Sequence, residues 1–172
     1  FPDKSIGWYR KKITIPESDL GRRIHIAFDG VFRNSIVWVN GHYLGNQDSG
    51  YLGFEYDITD YINYGGENTI AVRVDATMEE GWFYEGAGIY RHVWLNKTNE
   101  LHILDNGTFV KTKTKDTTNE ISALVTLTNE GKSAKSFKIN QTILDASGKT
   151  VSDKTINSCS LNPRETKDFS AD

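Results

Sequence analysis

The 172-residue chain has one cysteine, Cys159. That excludes a disulfide framework and a thiolate zinc cluster, and it leaves Cys159 as a small packed side chain. No apolar run approaches membrane-spanning length, and no signal peptide opens the chain. There is also no initiator Met; the chain starts Phe1-Pro2-Asp3-Lys4, as a processed or cut piece would. Excess basic charge is missing too: the formal net charge is −3 and no basic run stands out, so nucleic acid is not an expected partner. A membrane partner is not expected either. His25, His42, His92 and His102 show no His-x-x-x-His pairing that would hold a metal. No internal repeat, low-complexity tract or amphipathic helix of useful length appears.

What is present is an ordinary soluble balance, 37% hydrophobic and 25% charged, with enough apolar material for a core. Its distribution is uneven. All four Trp and all eight Tyr precede residue 98, and Phe109, Phe137 and Phe169 are the only Phe, Tyr or Trp after it. That break divides the chain into 1–98 and 99–172.

Alternation dominates the first part. Gly7–Ile15 reads as a strand ended by Pro16, followed by a turn or one helical turn over Pro16–Asp19. Arg22–Asp29 places Ile24, Ile26 and Phe28 on one face. Ser35–Val39 is apolar on both sides, so it reads as a central strand. Asn40-Gly41 is the strongest hairpin signal, and His42–Leu44 should return antiparallel. Phe54–Ile58 alternates again, with a capped helical turn expected at Tyr61–Asn63. Asn68–Asp75 puts Ile70, Val72 and Val74 inward. In the second part, Leu101–Leu104 and Thr108–Lys111 read as short strands around Asn106-Gly107. Ile121–Leu127, Phe137–Ile143 and Val151–Ile156 follow, with turns between them. Strands about ten residues apart with turn chemistry between them predict an all-β chain of two sandwiches.

One stretch is unlike the rest: Trp82-Phe83-Tyr84-Glu85-Gly86-Ala87-Gly88-Ile89-Tyr90-Arg91-His92-Val93-Trp94-Leu95. From Ile89 it alternates as a strand. Ahead of that, three rings and a carboxylate fall within four residues. Rings beside a carboxylate suit a sugar, whose apolar face stacks on a ring while its hydroxyls donate to the acid. The alternative is a folded-back loop plugging the end of a sandwich. Arg91 within a strand favours a structural ion pair over a ligand contact.

The segment Gly86–Leu95 resembles the GxGIYRxVxL segment of family 2 glycoside hydrolases, the group containing β-galactosidases and β-glucuronidases. Gly7-Trp8-Tyr9-Arg10, Val37–Gly45, Phe54–Thr59 and Glu67–Asp75 match that family's sugar-binding domain in the same order. The resemblance implies a jelly-roll (galactose-binding-like) sugar-binding domain over 1–98, lacking its first strands. It implies part of an immunoglobulin-like sandwich over 99–172, lacking its last strands. The family's catalytic barrel, about 250 residues or more, has no counterpart here. A retaining mechanism needs two carboxylates about 5 Å apart, and in the family both lie on the barrel. No residue here inherits a catalytic role, and the chain alone is expected not to hydrolyse glycosides.

A supporting role does carry over. In β-galactosidases of the family an aspartate just after the corresponding strand helps bind the galactosyl unit, sometimes through a sodium ion. Asp75 holds that position. The loop ahead of Ile89 borders the family's active site, which makes Trp82, Tyr84 and Glu85 candidate sugar contacts; Trp82 stands where glucuronidases place an acid. No other cofactor is implied. The expected partners are a β-galactoside or related glycan and the barrel of the same parent chain. A sandwich lacking strands is also expected to self-associate. The expected setting is a periplasmic or secreted bacterial protein. Two other readings stay open, a free-standing lectin-like module and a structural spacer. The aromatic loop counts against the spacer, and the short second module counts against the lectin.

Overall fold

The computed structural model of the chain describes residues 5–78, 86–116 and 118–171. The chain divides into two compact units, Phe1–Thr98 and Asn99–Asp172. Among the described residues the only helical elements are single 3-10 turns at Glu17–Asp19 and Thr59–Tyr61. The rest is strand and turn, an all-β fold.

The first unit holds β1 (Ile6–Thr14), β2 (Arg23–Phe28), β3 (Val31–Phe32), β4 (Ser35–Val39), β5 (His42–Gln47), β6 (Phe54–Asp57), β7 (Glu67–Asp75), β8 (Gly88–Ile89) and β9 (Val93–Thr98). One sheet runs β1-β7-β4-β5, a second runs β6-β2-β9, and β3 pairs with β8. Alternation explains the core. Ile24, Ile26 and Phe28 of β2 pack in one cluster with Val37 and Val39 of β4 and Val72 and Val74 of β7. Each such side chain contributes roughly 1.5–3 kcal/mol by leaving water. β4 is an interior strand, as its apolar run predicts. Asn40 and Gly41 take φ of 49° and 83° and turn β4 into β5, the left-handed pair that a two-residue hairpin requires. β5 and β6 each edge one of these two sheets on one side, and β1 and β9 edge them on the other. Between β1 and β9 lies a cleft of about 410 Å³ lined by Tyr9, Lys11, Ile26, Phe28, Val72 and Val93.

Two sequence expectations need correction here. The predicted strand through Ile89–Leu95 is broken. Ile89 pairs with Val31, whereas Val93 pairs with Phe28. The partner chain turns at Asp29-Gly30 between those points, so residues 90–92 must leave the ladder. Asp29 N donates to His92 O at 3.0 Å, and the Tyr90 hydroxyl donates to Gly50 O at 2.8 Å. The helical turn starts at Thr59, earlier than expected, and has no side-chain cap. β3, only two residues long, carried no readable pattern. Gly88 has φ of 105°, and any side chain there would collide with the Tyr9 hydroxyl.

The second unit holds β10 (Leu101–Lys115), β11 (Thr118–Asn129), β12 (Lys135–Leu144), β13 (Thr150–Leu161) and β14 (Thr166–Ala171). Its sheets are β10-β11-β14 and β12-β13. The expected pair of short strands is one long strand. Asn106-Gly107 does not turn the chain; the register shifts between Ile103 and Thr108, so the dipeptide is absorbed as a bulge. β14 was missed because one aromatic, Phe169, is its only large apolar residue. That ring meets Phe137 of β12 edge-on at 5.5 Å, a contact from one sheet to the other. Cys159 is buried, as a packed side chain should be.

Asn129 joins the turns of this unit. It has no solvent exposure. Its amide donates to Ser133 O (2.9 Å), Leu161 O (3.2 Å) and Asn162 O (3.0 Å), and its carbonyl accepts from Gly131 N (3.1 Å). Truncation would strand buried carbonyls at about 1–3 kcal/mol. Phe28 is 2% exposed and stacks on Phe54 at 4.9 Å. Chemical denaturation should therefore show Asn129→Ala less stable by about 1–3 kcal/mol. Phe28→Ala should be less stable by about 3–5 kcal/mol. Wild-type midpoints for both variants would contradict this account of the core.

Candidate functional site

Asp75 closes β7. Its register partner on β1 is Ile6, and its N–H donates to Arg33 O at 3.1 Å. Period two along β7 places Ala71, Arg73 and Asp75 on the outer face, because Val72 and Val74 point into the core. The Asp75 side chain is 23% exposed. One carboxylate oxygen accepts from Arg73 Nη2 at 2.8 Å. The other accepts from Thr77 Oγ1 at 2.6 Å and Thr77 N at 3.2 Å. The Thr77 hydrogen bonds, then the Arg73 guanidinium, hold this carboxyl below the usual carboxylate range, so it is ionised at neutral pH.

This arrangement has two components. The Thr77 part is turn chemistry that the chain uses repeatedly. Asp57 bonds Thr59 through the same N–H and hydroxyl pair, and Asp145 does so with Ser147. The Arg73 contact is the part that sets Asp75 apart. The spacing Arg73-Val74-Asp75 signals it, since residues two apart in a strand share a face. The set does not fit a cation. A hard cation is held by several oxygen ligands, whereas this carboxylate already carries a guanidinium and two donors.

The same outer face carries exposed rings. Trp8 lies opposite Arg73 in the β1–β7 register. Trp8 and Trp38 stack across the small Ala71 at 5.4 Å, Tyr43 meets Trp38 edge-on at 6.3 Å, and Arg10 sits 5.9 Å from the Trp8 ring. Trp8 and Tyr43 are more than half exposed. Trp82, Tyr84 and Glu85, the other candidate sugar contacts, lie outside the described residues. Arg91 is exposed and sits in the break between β8 and β9.

A second constellation, which sequence reading did not assemble, lies on the outer face of the β6-β2-β9 sheet. Asp29 accepts from Trp94 Nε1 at 3.0 Å, and the same oxygen lies 3.5 Å from His92 Nδ1. The His92 and Trp94 rings are 5.2 Å apart. His92 and Trp94 are two apart in sequence; Asp29, distant in sequence, carries no signal that it joins them.

Residues 2–99 match the family model described as glycosyl hydrolases family 2, sugar binding domain. Among curated proteins the chain is 39% identical over 150 residues to a β-galactosidase of Bacteroides ovatus, covering 86% of this chain and 18% of that protein. It is 40% identical over 152 residues to a β-galactosidase of Thermoanaerobacter pseudethanolicus, covering 83% and 20%. It is 40% identical over 153 residues to a putative β-glucuronidase of Formosa agariphila, covering 88% and 14%. A solved family 2 member from Bacteroides cellulosilyticus superposes with a TM-score of 0.90 at 36% identity, over 96% of this chain and 23% of that one. The chain thus spans a fifth or less of these curated relatives. The ordered motifs, the all-β first unit and these similarities together place the chain in glycosyl hydrolase family 2, through that family's sugar-binding domain.

Proposed function

We propose that this chain is the non-catalytic part of a β-galactosidase-like family 2 enzyme that hydrolyses O-glycosidic bonds in carbohydrate catabolism. Residues 1–98 act as the sugar-binding jelly roll and residues 99–172 as an immunoglobulin-like sandwich. Together they support a catalytic barrel supplied by the same parent polypeptide. The observation that carries this reading is the similarity to β-galactosidases across both units at about two-fifths identity. Asp75 lends its carboxylate to the sugar pocket, accepting from a galactosyl hydroxyl through the lone pair left on the oxygen that Arg73 bonds. Trp82, Tyr84 and Glu85 contribute contacts from the adjoining loop. A second reading, a β-glucuronidase, is favoured by the putative β-glucuronidase among the relatives.

The test is steady-state kinetics of the parent enzyme on p-nitrophenyl β-galactoside and β-glucuronide. The galactoside should be the better substrate, and the purified chain alone should turn over neither. A hydrogen bond to a charged group contributes about 1.5–3 kcal/mol. Asp75→Ala should therefore lower kcat/KM for the galactoside by roughly 10- to 100-fold. An unchanged kcat/KM would remove Asp75 from the pocket, and a preference for the glucuronide would select the second reading. Because the Asp75 carboxyl titrates below its ordinary value of 3.8, its contribution is complete at neutral pH. It is lost only as pH falls through that depressed range.

The open edges β1 and β9, with exposed Tyr9 and Val93 between them, also give the isolated chain a route to self-association. Sedimentation velocity should show a coefficient rising with concentration. A monodisperse monomer at high concentration would contradict it.

A further inference from the structure

We infer that Trp94, Asp29 and His92 form a binding platform for a neutral pyranoside on the outer face of the β6-β2-β9 sheet. Trp94 is 51% exposed on a solvent-facing strand position, which leaves ring surface open for a ligand to stack on. It is also fixed in place. Its indole N–H, the one polar handle it has, is taken by Asp29 at 3.0 Å. Asp29 is itself tied to the His92 backbone at 3.0 Å, which anchors the loop that presents His92. A ring locked in one orientation loses little entropy when a ligand stacks on it.

The surroundings supply what sugar hydroxyls need. Across the ladder from Trp94 is Ala27, and beyond it Glu55. The small Ala27 leaves open sheet surface beside the ring. Asn96, the next residue on this face of β9, donates to Glu55 Oε2 at 3.2 Å. His92 is 76% exposed and tilts beside the ring at 5.2 Å. Ring, carboxylates, amide and imidazole are the groups that hold a pyranose by stacking and by paired donors and acceptors. The Trp8–Trp38 pair is a poorer platform, because those rings stack on each other and Arg10 sits near the Trp8 ring.

Charge selects the ligand class. Asp29 and Glu55 both face this surface, so an anionic uronic acid would meet two like charges whereas a neutral hexose meets two acceptors. The inference rests on the carbohydrate reading of the family but uses residues on the other sheet from Asp75.

The test is an NMR titration of the chain with methyl β-D-galactopyranoside and, separately, methyl β-D-glucuronide, following the four indole N–H resonances. Trp94→Phe assigns the Trp94 signal by removing it. The expected result is a saturable shift of the Trp94 resonance with the galactoside, and binding at least about tenfold weaker with the glucuronide. Asp29→Ala should weaken galactoside binding by about tenfold or more. Asn96→Ala, at a partly exposed position, gives a second variant that leaves the core intact and should also weaken binding. A Trp94 signal that stays still, or that responds equally to both sugars, overturns the inference. Shifts confined to the amides around Asp75 also overturn it, and they leave the Asp75 reading standing.

Discussion

A carboxamide with no exposure to water, Asn68, constrains the first unit. Its oxygen accepts from Asn63 N and Asn40 Nδ2, both at 2.7 Å, and its nitrogen donates to Asn63 O and Gly66 O. A buried amide has to satisfy both its donor and its acceptor sides, and this one does so by holding the β4–β5 hairpin against the turn before β7. Register follows from that. Asn40 exchanges backbone and side-chain bonds with Thr69, which aligns β4 on β7. A slip of one residue in β4 would carry Val37 and Val39 to solvent and bring Trp38 into the core; the same slip in β7 would expose Val72 and Val74 and bury Arg73 and Asp75. The placement of every candidate residue on that outer face descends from this one tie.

Much of this was readable from residue order. The strands β2 and β7 announce themselves because each buries one face and burial imposes alternation, β11 shows the same alternation in its sequence, and β4 shows as an apolar run on both sides, as an interior strand should. The Asn40-Gly41 hairpin is readable because positive φ demands those residues. Other features are set by contacts distant in sequence. The break at residues 90–92 is imposed by a turn at Asp29-Gly30 on the partner strand, and nothing within Ile89–Leu95 encodes it. The Asn106-Gly107 dipeptide has hairpin chemistry yet sits in a bulge, because β11 is long enough to pair on both sides of it. For the sites, the resemblance nominates Asp75, and the spacing of two along the strand puts Arg73 beside it. Asp29 joins Trp94 only through the folded sheet.

Asp75 shows how a functional reading is built on local structure. Its bonds to Thr77 repeat those of Asp57 and Asp145, which end strands in the same way. Such a turn holds a carboxylate ionised and oriented before any ligand arrives, and Arg73 narrows its orientation further. A group held this way loses little freedom on binding.

The two Asn-Gly pairs will also age differently. Asn beside Gly is a thermolabile pairing, because the glycine N–H can attack the asparagine carbonyl and expel ammonia. Asn40 is clamped through its side chain to Tyr61, Asn68 and Thr69, which keeps that carbonyl away from the next nitrogen. Asn106 is exposed, and its side chain bonds the adjacent Asp105. Of the two pairs, the one in the β10 bulge is therefore the one open to isoaspartate formation, and the hairpin that sets the register of the first unit is chemically protected by the bonds that shape it.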